Sequence, residues 1–191
     1  MVSIREFKYK KIKDFLTLSE KNLLKDYCRI AHRLNKKNYD LDPENSGTTN
    51  FDTSIYADPI MESLLVNKNS QMEKITGLSL KPTYAFWRMY TKYAELKPHK
   101  DRPACEISVT INIGGDGTDW PIIIDENPIN LKPGEASVYL GCELIHSRKE
   151  FLGDWQAQVF LHYVDANGPF ADHWKDKRVK WGTQFINKEA R

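Results

Sequence analysis

Two regimes of hydrophobic patterning meet near residue 78. Before it, apolar residues recur at helical spacing. Leu23, Leu24, Tyr27, Cys28, Ile30, Ala31 and Leu34 follow Thr17-Leu18-Ser19-Glu20, a capping-box pattern in which a hydroxyl and a carboxylate satisfy free amides at a helix start. Residues 36–53, rich in Asn, Asp, Gly, Ser and Thr, read as a loop. Asp58-Pro59 suits an N-cap with proline in the first turn, opening a helix that carries Ile60, Met61, Leu64 and Leu65. A second short helix ends at Gly77, a C-cap.

Beyond residue 78 the period shortens to two. Residues 83–93 (TYAFWRMYTKY) are aromatic and β-prone. Residues 106–113 (EISVTINI) alternate, with Ile107, Val109, Ile111 and Ile113 on one face and Ser108, Thr110 and Asn112 on the other. Residues 120–124, 136–140 and 157–164 are further strands, separated by turns at Gly114-Gly115 and Pro133-Gly134. Short strands at this spacing predict a mainly β, jelly-roll core preceded by a helical segment, with the helices against the outer face of one sheet. The expected organisation is a single domain of residues 1–191: a helical support region at 1–78, the core at 79–168 and a tail at 169–191.

Composition narrows the functional classes. The 28 basic and 26 acidic residues nearly balance, so charge does not indicate nucleic acid. Three widely spaced cysteines, Cys28, Cys105 and Cys142, without CxxC spacing, argue against a disulfide framework or zinc ribbon and favour a reducing compartment. The N-terminus lacks the apolar run of a signal peptide, and no stretch suits a membrane span; the expected location is cytoplasmic. The basic, aromatic tail is open between a lid, a homodimer contact and a packed terminus.

The candidate chemistry lies in His99-Lys100-Asp101 and in His146, 45 residues beyond Asp101. Residues i and i+2 of an extended strand point to the same side, so His-x-Asp offers an imidazole and a carboxylate together. A histidine returning on a distant strand completes two imidazoles and one carboxylate on one side of a metal, leaving positions open for other ligands. Against this stands the chance occurrence of His-x-Asp in solvated loops. The remaining histidines read more simply: His32 as a surface position, His173 as exposed tail, and His162 as a core histidine on the inward parity of its strand.

The wider context of these residues resembles a known family. Tyr84-Ala85-Phe86-Trp87-Arg88-Met89-Tyr90, followed by Leu96-Lys97-Pro98-His99-Lys100-Asp101-Arg102, looks like the start of the core in 2-oxoglutarate/iron(II) dioxygenases of the prolyl 4-hydroxylase-like group. Residues 131–139 (LKPGEASVY) and 141–146 (GCELIH) are similar to their second motif, and residues 158–165 to their closing strand. The resemblance implies a double-stranded β-helix and iron(II) held by His99, Asp101 and His146. It also implies 2-oxoglutarate and O₂ as cosubstrates, and hydroxylation of a peptide or small-molecule substrate.

One position departs from the pattern. The family places an Arg or Lys about ten residues after the distal histidine, where it pairs with the far carboxylate of 2-oxoglutarate. Gln156 stands here, or Gln158 if the register shifts. Arg148, two residues after His146 and on its face, is the first replacement cation, and Arg88 the second. Tyr90 matches a family tyrosine that hydrogen-bonds 2-oxoglutarate, and Asn112 is the likeliest cosubstrate contact on its strand. Two rivals follow from the departure: a cupin-like metalloenzyme that does not use 2-oxoglutarate, and a non-catalytic jelly-roll binding module.

Overall fold

The structure is a computed structural model, and it describes residues 2–35 and 52–183. Residues 36–51 of the expected loop and the end of the tail lie outside the described residues.

The capping signals form as expected. Helix α2 (Leu18–Asn35) begins behind Thr17, whose amide donates to Glu20 Oε2 at 2.8 Å while the Glu20 amide donates to Thr17 Oγ1 at 3.2 Å. Asp58 caps α3 (Pro59–Asn67), accepting from the amides of Ile60 and Met61 at 2.9 and 3.2 Å. Helix α4 (Asn69–Thr76) stops at Gly77, whose φ of +69° is left-handed backbone that a side chain would strain. A one-turn helix α1 (Ile4–Phe7) precedes them.

The helical region also supplies two strands that the sequence pattern does not reveal. They are β1 (Tyr9–Ile12) and β2 (Thr53–Tyr56). The remaining strands are β3 (Leu80–Thr91), β4 (Leu96–His99), β5 (Ile107–Gly115), β6 (Ile122–Ile124), β7 (Asn127–Ile129), β8 (Ala136–Leu140), β9 (His146–Arg148) and β10 (Trp155–Asp165). They form a six-stranded sheet, β1-β8-β5-β10-β3-β2, and a four-stranded sheet, β4-β9-β6-β7. The described pairings are antiparallel. β1 and β2 occupy the two edges of the larger sheet. They are too short, and β1 too lysine-rich, to carry the alternation that marks the central strands.

The larger sheet turns its apolar face outward. Ile107, Val109, Ile111 and Ile113 of β5, with Trp87, Met89, Val138, Val159 and Leu161, join Leu24, Cys28, Met61 and Leu65 of the helices in the main core. The inward face therefore carries the polar members of each alternating strand. Between the sheets the apolar clusters are small and aromatic: Tyr90, Trp120, Phe151 and Phe160 in one, Tyr84 with Ala104 and Cys105 in another. The main core also reaches the smaller sheet through Ile122 and Ile124 of β6, while the polar inward positions of the central strands make room between the sheets for polar chemistry.

The tail packs against the body. Asp176, in a 3-10 segment (Ala171–Lys177), accepts from both terminal nitrogens of Arg102 at 2.6 Å and from the Tyr56 hydroxyl. Arg178 is buried and pairs with the buried Glu62. Among the described residues, no helix is long and apolar enough to cross a membrane.

Candidate metal centre and active-site cavity

Cross-strand register within the smaller sheet assembles the metal candidates. β4 pairs antiparallel with β9, placing His99 opposite His146, and their rings lie 4.2 Å apart. Asp101 follows β4 and is anchored by its amide, which donates to the Gly141 carbonyl at 2.9 Å. Ligand atoms of His99, Asp101 and His146 all lie within 4.8 Å of one another.

The hydrogen bonds decide which atoms face inward. His99 Nδ1 meets the Lys97 carbonyl at 2.8 Å, and His146 Nδ1 meets the Leu144 carbonyl at 3.1 Å. A carbonyl only accepts, so each Nδ1 carries a proton, and Nε2 of each ring is the nitrogen that faces Asp101. Asp101 Oδ1 stands 3.7 Å from His99 Nε2 and 3.5 Å from His146 Nε2. Two imidazole nitrogens and one carboxylate oxygen thus converge, a donor set that a divalent cation takes. Cis donors at about 2.1 Å from an octahedral metal are separated by about 3 Å, so the two carboxylate–imidazole separations would each shorten by roughly 0.5 to 0.7 Å around a bound metal. Two imidazoles and one carboxylate on one side suit iron(II) with open positions.

Asp101 is held from behind. Burial opposes its ionised form, but contact with His146 and a hydrogen bond from Ser108 Oγ to Oδ2 at 2.8 Å outweigh it and hold the carboxyl at about 2. A second cluster, Asp101, Cys105 and His162, has its candidate atoms equally close. It is a poorer metal site: burial pushes the Cys105 thiol well up, and His162 Nδ1 is engaged by Ser108 Oγ at 2.9 Å. Burial also pulls His162 down to about 4, so this ring is neutral near neutral pH.

A cavity of about 400 Å³ opens beside the three candidates, lined among others by Tyr84, Phe86, Arg88, Tyr90, Tyr139 and His162. Arg148 lies on the inward face of β9 with His146, 1% exposed. Its Nη1 donates to the Trp120 carbonyl at 2.5 Å and its guanidinium sits 4.8 Å from the Trp120 ring. Nε and Nη2 have no hydrogen-bond partner, and no carboxylate pairs with Arg148 among the described residues. Burial pulls its pKa down to about 10. Buried and unpartnered with it on the inward parity of their strands are Ser137 Oγ and Gln158 Nε2. These are buried donors without acceptors, a set whose chemistry fits an anion.

The other sequence candidates fall as follows. Tyr90 lines the cavity, is buried and has its pKa raised by that burial, so its hydroxyl stays a donor. Arg88 lines it too, with Nε 3.7 Å from Asp52 Oδ2 and the guanidinium 5.1 Å from the Tyr90 ring. Asn112 gives Nδ2 to the Leu131 carbonyl at 2.6 Å, bracing the loop before Gly134, and is not among the cavity-lining residues. Gln156 is buried and likewise outside that lining, with its side chain against Gly115. His32 is not a plain surface residue: its Nδ1 lies 2.7 Å from Thr53 Oγ1. Ser137, Tyr139 and the Ser108–Asp101 contact escaped sequence reasoning. The available signal was a serine and a tyrosine sharing parity in the wholly buried strand β8.

No protein-family model matches the chain, and no curated protein sequence matches it. Solved structures do match in fold. A Pseudomonas putida prolyl-4-hydroxylase is 14% identical, with a TM-score of 0.58 over 83% of this chain and 92% of that one. The viral collagen prolyl hydroxylase of Paramecium Bursaria Chlorella virus-1, solved as a 2-oxoglutarate complex, is 10% identical, with a TM-score of 0.60 over 82% and 94%. The non-haem α-ketoglutarate-dependent epimerase SnoN from nogalamycin biosynthesis is 12% identical, with a TM-score of 0.65 over 98% and 95%. At these identities the likeness establishes the fold: a jelly roll of the prolyl 4-hydroxylase-like kind.

Proposed function

We propose that this chain is a non-haem iron(II) oxygenase that uses 2-oxoglutarate and O₂, with His99, Asp101 and His146 as the metal ligands. The observation that carries the reading is the convergence of Asp101 Oδ1 with Nε2 of two imidazoles whose rings are held by backbone carbonyls through Nδ1. Bound iron(II) would supply the coupling of 2-oxoglutarate decarboxylation to oxidation of a substrate C–H bond. The chain's own residues supply geometry and charge. The Lys97 and Leu144 carbonyls fix the two rings, and Ser108 fixes the carboxylate.

Arg148 is the cation we assign to the far carboxylate of 2-oxoglutarate, with Ser137 and Gln158 as neutral donors and the Tyr90 hydroxyl beside the cavity. Arg148 is favoured over Arg88 because Arg88 already faces Asp52, whereas the Arg148 charge is unmatched. The unmatched charge is also what speaks against a metalloenzyme without 2-oxoglutarate: an isolated buried guanidinium is costly unless a ligand answers it.

The reaction we favour is hydroxylation of a small molecule or a peptide. The match to an epimerase over 98% of the chain favours a second outcome at the same C–H position. Hydroxylation adds an oxygen atom and epimerisation does not, so product mass separates them.

The test is anaerobic loading with iron(II) and 2-oxoglutarate, followed by O₂ and measurement of succinate. Wild type should bind one iron and release succinate, and His146→Ala should do neither while keeping its fold. Iron binding without succinate would point to the metalloenzyme that spares 2-oxoglutarate. Absence of iron binding would leave a binding module.

A further inference from the structure

The proton inventory around Ser108 fixes the state of His162. Ser108 Oγ has one proton and three close partners: Asp101 Oδ2 at 2.8 Å, the Cys105 carbonyl at 3.1 Å and His162 Nδ1 at 2.9 Å. The carboxylate and the carbonyl can only accept. The proton therefore goes to one or both of them, with the charged oxygen the stronger acceptor. A hydrogen bond between Ser108 and His162 then requires the proton of His162 Nδ1. That leaves Nε2, at the ring end farther from the backbone, with a bare lone pair. His162 lines the cavity beside the metal ligands.

The neighbours of His162 describe what would meet that lone pair. Register pairs His162 with Tyr84 and Phe160 with Phe86 across β10 and β3. The rings of Tyr84 and His162 lie 4.5 Å apart and those of Phe86 and Phe160 6.0 Å apart. Four rings thus form a two-by-two patch on the inward face, all of them lining the cavity. Flat apolar surface with one fixed acceptor selects a ring that carries a donor.

We infer that His162 is a substrate-contacting residue whose Nε2 accepts a hydrogen bond from a hydroxyl or N–H group on a ring-bearing small molecule lying against Tyr84, Phe86 and Phe160. This deepens the proposed oxygenase reading by naming the substrate class of the same cavity. It makes His162 a specificity determinant on the substrate side, opposite in role to Arg148 on the cosubstrate side.

The experiment uses full-length protein with ¹⁵N-labelled histidine, metal-free and again with zinc(II) and 2-oxoglutarate, which do not turn over. The first readout is the His162 tautomer by ¹⁵N shifts, expected as Nδ1–H with unprotonated Nε2. The second is titration with phenol and, separately, toluene, which share a ring and differ in the donor. Phenol should bind about fivefold more tightly than toluene and move the Nε2 resonance, as one hydrogen bond allows. His162→Phe, which keeps a ring beside Tyr84, should erase that preference. An Nε2–H tautomer, equal affinity for the two probes, or binding of neither overturns the inference. Zinc uptake is read separately. A chain that takes no metal at His99, Asp101 and His146 refutes the metal reading, while tautomer and probe preference in the metal-free protein judge His162 on its own.

Discussion

Gly141 lies directly against the Asp101 carboxylate: a methyl group at that position would collide with Asp101 Oδ2, the Cys105 carbonyl and the Ser108 hydroxyl. The glycine is required by space, not by backbone angle, since it is absent from the residues with positive φ. Its carbonyl accepts from the Asp101 amide at 2.9 Å, so the same residue holds the Asp101 backbone and makes room for its side chain.

Gly141→Ala should therefore push Asp101 out of line. Metal affinity is expected to fall by about 10- to 100-fold, the usual cost of losing support behind a ligand. Overpacking should cost about 1–3 kcal/mol of stability. Metal titration and thermal unfolding measure the two effects, and a fully stable variant with wild-type metal affinity would contradict the crowding argument.

Arg148→Met separates function from stability. Replacing an unpaired buried charge by an apolar side chain of similar length should leave the ligand-free protein at least as stable as wild type. The apparent 2-oxoglutarate requirement should rise by about 30-fold or more, the consequence of removing one member of a buried charged pair. Unfolding curves without ligand, and succinate formation against 2-oxoglutarate concentration, check both halves. An unchanged requirement would move the anchor to Arg88.

Asp58 serves four donors at once. Beyond the Ile60 and Met61 amides it accepts from Trp87 Nε1 at 3.2 Å and from the Tyr27 hydroxyl. Asp58→Ala loses a helix cap, worth about 0.5–2 kcal/mol, and orphans a buried indole N–H at about 1–3 kcal/mol. A total loss of about 1.5–5 kcal/mol in denaturant unfolding is expected. The affinity for metal should not change, because Asp58 is not among the residues that line the cavity.

The tail contact should be sensitive to pH. Burial works against the Asp176 carboxylate, but hydrogen bonds from Arg102 and Tyr56 outweigh it and hold its pKa below the ordinary 3.8. A pKa lowered by folding stabilises above the ordinary value, and that contribution is lost as pH falls through the folded one. Asp176→Asn should thus be less stable than wild type near neutrality, with the gap closing as the pH is lowered to a value well below 3.8. Arg102 is 48% exposed, so screening limits the gap to on the order of 1 kcal/mol. Equal gaps at both pH values would assign the loss to packing.

How much of this was legible beforehand depends on whether a feature is local. The caps at Thr17, Asp58 and Gly77, and the alternation of β5, are properties of a few adjacent residues, and the sequence determined them unaided. The His-x-Asp pair and His146 were legible as residue types at a suggestive spacing. Only the pairing of β4 with β9 decided that their nitrogens converge. The two edge strands were hidden because short strands draw their stability from a neighbour's backbone and not from their own pattern. The surroundings of Arg148, Ser108 and His162 were likewise decided by tertiary structure. Whether a buried polar atom is satisfied, and which nitrogen of a histidine carries the proton, depends on partners far away in the chain, and no local reading of composition or period contains them.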